Sequence, residues 1–237
     1  MKPEKAAIIV PAYNEEKALL GTLNELCAIF DKSRIVVIND GSDDSTSRIA
    51  HNAGVNVIDL PANMGIGVAM QTGYRFALEK GLKYAVQCDA DGQHPPDQIE
   101  LLAAEMEKTG ADMVIGSRFV DKSSGGFKSH FLRRIGISFF SDWISLITKG
   151  VRVHDVTSGF RLVNERVMRI FADDYPFDYP EPEAIVLLTM HGCTIAETPV
   201  AMRERQGGVS SIGFFAGIYY IIKVTLGLLL TRLRKIN

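Results

Sequence analysis

A chain of 237 residues that is 46 % hydrophobic and 23 % charged has ordinary values for a globular protein with a sizeable core, as one large domain or one domain with an appendage. Its net charge of −2 gives no case for nucleic-acid binding. Cys27, Cys88 and Cys193 are too widely spaced for a disulfide framework or a zinc pattern, and their apolar neighbours suit buried thiols in a reducing compartment.

The opening stretch, "MKPEKAAIIVPAYNEE", meets proline and acids too soon for a signal peptide, so a cytoplasmic protein is expected. Residues 6–10, "AAIIV", predict a strand, followed by a helix over 15–30. Residues 34–38, "RIVVI", predict a second strand, with a helix opening near 43–45. "VNVIDL" and "KYAVQC" read as two more strands, with a helix over 67–79 between them, and 111–116, "ADMVIG", as a fifth. Short apolar strands alternating with helices predict an α/β fold, a mostly parallel sheet with helices on both faces. Ligands of such sheets bind at the carboxyl ends of the strands. Those ends read "PAYNEE", "NDGSDDS", "DADGQH" and "SRF", so polar and acidic chemistry gathers at one edge.

In "QCDADGQHPPDQ", Asp89 and Asp91 stand one residue apart with Gln93 and His94 close behind. Carboxylates that close repel each other unless a cation lies between them. Hard oxygen ligands suit Mn²⁺ or Mg²⁺, which bind through one or two carboxylates plus substrate phosphate oxygens. The alternative is a solvated turn at the helix start "HPPDQ". Asp40 comes too early to cap the next helix, for which Ser42, Asp43 and Ser45 are the candidates. Its carboxylate can instead accept a hydrogen bond from a base N–H, as uracil or guanine offers. "NMGIGVAMQTG" permits close backbone approach but is neither a dinucleotide fingerprint nor a Walker A sequence.

The second half is more apolar. Residues 131–148 place polar side chains at 134, 138, 141, 145 and 148, one stripe on a helix that is apolar elsewhere except at Arg133 and Asp142. The tail over 212–231 is apolar almost all round, with Lys223 its one charge, and from 203 onward six Lys/Arg face a single acid, Glu204. A bilayer span, a core helix and an in-plane helix are all open readings. The in-plane helix, anchored by Arg232, Arg234 and Lys235, fits the charge best, with 131–148 as a second membrane contact. The chain then divides into a catalytic domain over 1–211 and a C-terminal apolar helix with a basic end over 212–237.

Taken together, "IIVPAYNEE", "VVINDGSDDST", "NMGIGVAMQTG", "CDADGQHPPD", "GSRF" and "DVTSGFRLVN" resemble the family 2 glycosyltransferases, which have the GT-A fold. The resemblance covers about residues 6–205. "DADGQHPPD" and "TSGFRLVN" are most similar to the dolichyl-phosphate mannose synthase branch, which glycosylates polyprenyl phosphates. It implies that Pro11, Tyr13 and Glu15 frame the nucleotide, that Asp40 holds the base, and that Asp89, Asp91 and Gln93 hold Mn²⁺ or Mg²⁺ against the donor diphosphate. Arg118 and one of Arg133 and Arg134 would face the acceptor phosphate with Ser158 and Arg161, while Arg203 and Arg205 close over the diphosphate. Where that branch usually carries a lysine, in a Gly-x-Ser-Lys pattern, this chain has Val209, Ser210 and Ser211.

That departure bears on the acceptor. A phosphate monoester, with a second pKa of about 6, is already a nucleophile at neutral pH. A sugar hydroxyl needs a general base. "YPEPEAIV" offers Glu181 or Glu183 for that part, although Glu183 at a helix start also suits the helix dipole alone. The expectation is a metal-dependent, inverting glycosyltransferase attached to the cytoplasmic face of the cell membrane, with Asp91, Arg118, Arg134 and Glu183 as the catalytic set. It would move a sugar from a UDP- or GDP-linked donor to polyprenyl phosphate. The alternative acceptor is a hydroxyl of a lipid-linked saccharide, as in polysaccharide biosynthesis. Its partners would be the nucleotide-sugar, the lipid-linked acceptor and the membrane surface, with a homo-oligomer left open. A sugar nucleotidyltransferase would need a Gly-rich basic loop after the first strand, and "PAYNEE" is acidic.

Overall fold

A computed structural model describes residues 5–119, 131–148, 150–177, 180–204 and 214–234. The strands are β1 (Ala6–Ala12), β2 (Ile35–Asn39), β3 (Asn56–Asp59), β4 (Tyr84–Gln87), β5 (Met113–Ser117), β6 (Arg161–Asn164) and β7 (Ile195–Pro199). They form one sheet in the order β3-β2-β1-β4-β6-β5-β7, parallel throughout except for β6, which runs antiparallel to both neighbours. The expected α/β architecture is therefore present.

Every residue of β1 and β2 is buried, because helices cover both faces. Alternate residues of β1 feed opposite cores. Ala7 and Ile9 join Met70, Tyr74 and Phe171, drawn from α3 (Ile66–Glu79) and α6 (Glu165–Asp173). Ile8 and Val10 join Leu23, Leu26 and Leu102, drawn from α1 (Leu19–Ile29) and α4 (Ile99–Thr109). Gly73 sets how closely α3 lies on β1, since a Cβ there would stand 2.3 Å from Ile9 Cγ2. This contact brings the start of α3 to the carboxyl ends of β1 and β2.

Two boundaries differ from the sequence expectation. β1 runs on through Pro11 and Ala12, and α1 begins at Leu19 rather than near 15. The residues between are held by the next loop. Asn14 N donates to Ser42 Oγ (3.0 Å), Glu15 N to Thr46 Oγ1 (2.8 Å) and Glu16 N to Asp44 Oδ2 (3.1 Å), and Glu15 O accepts from Ala18 N (3.1 Å) and Leu19 N (2.9 Å), a turn that leads into α1. α2 (Thr46–Ala53) starts with Asp44 accepting from Thr46 N, a part the sequence had suggested for Ser42, Asp43 or Ser45. β6 and β7 were not anticipated, being short and carrying polar residues such as Arg161, Glu197 and Thr198.

α5 (Phe131–Ile147), α7 (Pro180–Met190) and α8 (Phe214–Leu233) pack on one another beside the sheet. Val224, Leu228 and Thr231 of α8 are buried, whereas Leu226, Leu229, Leu230 and Leu233 are exposed. Arg232 Nε donates to Ile147 O, tying the end of α8 to the end of α5 (2.9 Å). Among the described residues, no helix is long and apolar enough to cross a membrane.

Candidate active site

The carboxyl ends of β1, β2 and β4 open onto a cavity of about 470 Å³. Its lining includes Pro11, Tyr13, Glu15, Asp40, Asn63, Ile66, Gln87, Asp89, Asp91, Gln93 and Glu181. Asp40, Asp89, Asp91 and Gln93 are residues to which the strand-end loops themselves point, and Pro11, Tyr13 and Glu15 are those that the family resemblance implies. One edge of the sheet does gather them.

On the β1–β2 side the two loops are interlocked. Asn14 adopts a positive φ of 54°, which Asn tolerates better than most residues, and its Oδ1 accepts from Asp43 N (3.0 Å). Burial works against ionising Asp44, but hydrogen bonds from Thr46 and the Glu16 amide outweigh it and hold the carboxyl below its usual range. Asp40 is buried and spends one lone pair of each oxygen on the protein, accepting from Met64 N (2.7 Å) and Gly65 N (2.9 Å). The carboxylate thus fastens β2 to the start of α3, and its remaining lone pairs are what it can offer a ligand.

On the β4 side the acidic loop is braced from several directions. Thr22 Oγ1 of α1 donates to Ala90 O (3.0 Å), and Asp91 Oδ1 accepts from Gln93 N (3.0 Å). Asp89 N donates to His94 Nδ1 (3.0 Å), which makes that nitrogen an acceptor and assigns the ring proton of a neutral imidazole to Nε2. Nε2 lies 3.7 Å from Asp89 Oδ2, and the buried ring stacks on Phe160 with centroids 4.8 Å apart. Gln87 Nε2 donates to Asp89 Oδ1 (3.1 Å) while its Oε1 is buried without a partner among the described residues. An orphaned buried carbonyl costs about 1–3 kcal/mol. The helix start expected in "HPPDQ" is also present, as a 3₁₀ turn over Pro96–Gln98 that leads into α4.

Among the described residues, no three His, Cys, Asp or Glu side chains gather into a cage for a metal. Two carboxylates and an amide oxygen are nonetheless the partial set that suits Mg²⁺ or Mn²⁺ when phosphate oxygens complete the shell. The donor set fits the expected ion.

The arginines are placed more inward than the sequence suggested. Arg118 grips Asp155, which is fully buried, with Nε to Oδ2 and Nη2 to Oδ1 both at 2.7 Å, and its backbone N adds a third bond to Oδ2. Arg161 is 1 % exposed and donates to three backbone carbonyls: Nε to Ser158 O (2.8 Å), Nη2 to Val156 O (3.3 Å) and to Glu181 O (2.8 Å). Ser158 is likewise buried, its Oγ donating to Gly116 O (2.7 Å). These three residues shape the wall behind the acidic loop. Arg203 bonds both oxygens of Glu25 through Nη1, at 2.8 and 2.7 Å, and its backbone N donates to Gln93 O (3.0 Å). Arg205 lies outside the described residues. Arg133 and Arg134 lie on α5, with their side chains outside the described part.

The two glutamates separate. Glu181 lines the cavity; burial raises its carboxyl pKa, and nearby Arg161 only partly opposes this. Glu183 turns away toward α8, where its Oε2 accepts from Thr231 Oγ1 (3.3 Å) and a Cβ on Gly227 would stand 2.6 Å from Oε1. Of the pair, the expected catalytic role had been placed on Glu183, and the cavity holds Glu181. Gln87, Asn63 and the bracing role of His94 had not been read from the sequence. Only the two-residue step from Gln87 to Asp89 at a strand end pointed to the first.

Residues 7–171 match the profile described as Glycosyl transferase family 2, and the chain belongs to that family. It is 28 % identical to the polyprenol monophosphomannose synthase of Mycolicibacterium smegmatis, over 88 % of this chain and 81 % of that one. It is 32 % identical to the undecaprenyl-phosphate mannosyltransferase of Micrococcus luteus, over 86 % of each. Among solved structures, the glucosyl-3-phosphoglycerate synthase of Mycobacterium tuberculosis, crystallised with Mn²⁺, UDP and phosphoglyceric acid, superposes with a TM-score of 0.67. That match covers 97 % of this chain and 78 % of the other at 16 % identity, a likeness of fold. The protein is a GT-A glycosyltransferase, as its loops suggested.

Proposed function

We propose that the protein is a metal-dependent, inverting glycosyltransferase that moves a sugar from a nucleoside diphosphate to a polyprenyl phosphate at the cytoplasmic face of a membrane. The observation that carries this reading is that one cavity is lined both by Asp89 and Asp91 from the loop after β4 and by Tyr13, Asp40 and Asn63 from the loops after β1, β2 and β3. A donor diphosphate would lie toward the acids and its base toward Tyr13 and Asp40. Mn²⁺ or Mg²⁺, when bound, supplies positive charge to the departing diphosphate. Asp89, Asp91 and Gln93 hold that ion, Asp91 from a rigid, backbone-braced position. Pro11, Tyr13 and Glu15 frame the nucleoside, and Asp40 accepts from its base while keeping the α3 loop in place. Holding donor and acceptor in line at the anomeric carbon replaces a bimolecular encounter by an oriented one.

The acceptor assignment is supported by the names of the relatives, two of which act on polyprenol or undecaprenyl phosphate. A phosphate oxygen needs no deprotonation at neutral pH. Arg133 or Arg134 and Arg205 are the cations assigned to the acceptor and diphosphate, with Arg118, Ser158 and Arg161 acting through the wall they build. Arg203, paired with Glu25, holds its segment against Gln93. Glu181 in the cavity favours a second reading, in which it serves as general base toward a hydroxyl of a lipid-linked saccharide. The membrane surface would be met by the exposed leucines of α8, together with Phe139 and Leu146 of α5.

The test is a panel of radiolabelled UDP- and GDP-sugars against polyprenyl phosphate and lipid-linked saccharides, with Mn²⁺ and with EDTA. Transfer to polyprenyl phosphate that EDTA abolishes is the expected result. Full activity in excess EDTA, or in Asp91→Ala, removes the metal from the reading.

A further inference from the structure

Gln87 occupies the last position of β4 and is buried beside the cavity. Its amide could not be turned over without setting Oε1 against a carboxylate oxygen of Asp89, so the contact at 3.1 Å fixes Nε2 as the group facing Asp89. Gly159 covers the pair from β6's approach: a Cβ there would lie 2.7 Å from Gln87 Nε2 and 3.4 Å from Asp89 Oδ2. His94 Nε2 stands 3.7 Å from that same Oδ2. The Asp89 carboxylate is thus flanked by an amide N–H and an imidazole N–H, with Gly159, which carries no side chain, close above it.

A glutamine kept only for packing would be expected to satisfy both ends of its amide. This one leaves its carbonyl buried and, among the described residues, unpaired, while its N–H is aimed at Asp89. We propose that Gln87 is a positioning residue for the divalent ion, locking Asp89 in the orientation in which its carboxylate serves as a ligand. The inference rests on the metal-dependent reading above. Groups that orient a metal's ligands typically contribute 10- to 100-fold to affinity, and about that loss is expected when the N–H is removed.

The experiment is titration of full-length protein with Mn²⁺ in the presence of UDP, followed by the electron paramagnetic resonance signal of free Mn²⁺, alongside a thermal melt. Gln87→Met keeps the length of the side chain and removes the N–H and the orphaned carbonyl together. The expected result is Mn²⁺ affinity lower by about 10- to 100-fold, with a melting temperature equal to or above that of the wild type. A packing role moves both readouts the other way, lowering the melting temperature and leaving Mn²⁺ binding intact. Gly159→Ala tests the same link with Gln87 in place, because the new methyl pushes the amide off Asp89, and it should weaken Mn²⁺ binding in the same direction. If the wild type binds no Mn²⁺, the metal-dependent reading itself fails. If the wild type binds and the folded variants bind equally well, only the assignment of Gln87 is overturned. Failure of both variants to fold assigns Gln87 to the scaffold and overturns it too.

Discussion

A carboxyl group in the wall of the cavity, as at Glu181, is harder to ionise than one in water, because burial strips its hydration and Arg161 only partly compensates. With its folded-state pKa raised, the group's contribution to stability is present below its unfolded value of about 4.3 and is lost as pH rises through the folded value. Glu181→Gln should therefore melt at or above the wild-type temperature at neutral pH. Its activity separates the acceptors. With polyprenyl phosphate the rate should stay within roughly tenfold of wild type, whereas a hydroxyl acceptor would lose about 10²- to 10⁴-fold with its base. Glu183→Gln still accepts from Thr231, so initial rates should be near wild type with either acceptor. Arg118 calls for a different measurement. Its pairing with a fully buried Asp155 means that Arg118→Ala leaves a charge uncompensated, at about 3–5 kcal/mol. A denaturant melt should show that loss, so inactivity of this variant says nothing of the acceptor. A variant of wild-type stability would return Arg118 to the substrate.

Among the elements, β1, β2, β4 and β5 could be read directly, because strands buried on both faces are mostly apolar runs, while β3, a partly exposed edge strand, was legible from the apolar residues of "VNVIDL". β6 escaped because "RLVN" begins with an arginine whose head bonds three carbonyls, a charge that ordinarily argues against a buried strand. The direction of a glutamate at a helix start escaped for another reason. Glu181 and Glu183 lie about 200° apart around α7, and spacing alone cannot say which side faces the cavity. The apolar tail is read correctly as a helix, but its faces are unlike: Val224 and Leu228 pack inward while Leu226, Leu229, Leu230 and Leu233 face out. Removing α8 would strip cover from α7. Replacing Leu226, Leu229 and Leu230 by Gln leaves the inward face intact. That variant should keep its melting temperature and lose flotation with anionic vesicles, while equal flotation would remove α8 from membrane contact.

At the scale of the whole molecule, the sheet edge that collects the chemistry was legible from strand ends alone, since parallel strands deliver their following loops to one side. What sequence order could not supply is how those loops hold one another. Asn14 with Ser42 and Asp43, Glu15 with Thr46, and Asp40 with Met64 and Gly65 join segments from β1, β2 and α3 through side-chain to backbone bonds. A wall fastened in this way has little left to order when a nucleotide arrives. The entropic cost of association then falls on the ligand, and affinity is not spent on folding the receptor. Calorimetric titration with UDP over a range of temperatures should accordingly give a small heat-capacity change. A large negative one, of the size that coupled folding produces, would mean that these loops close only around their guest.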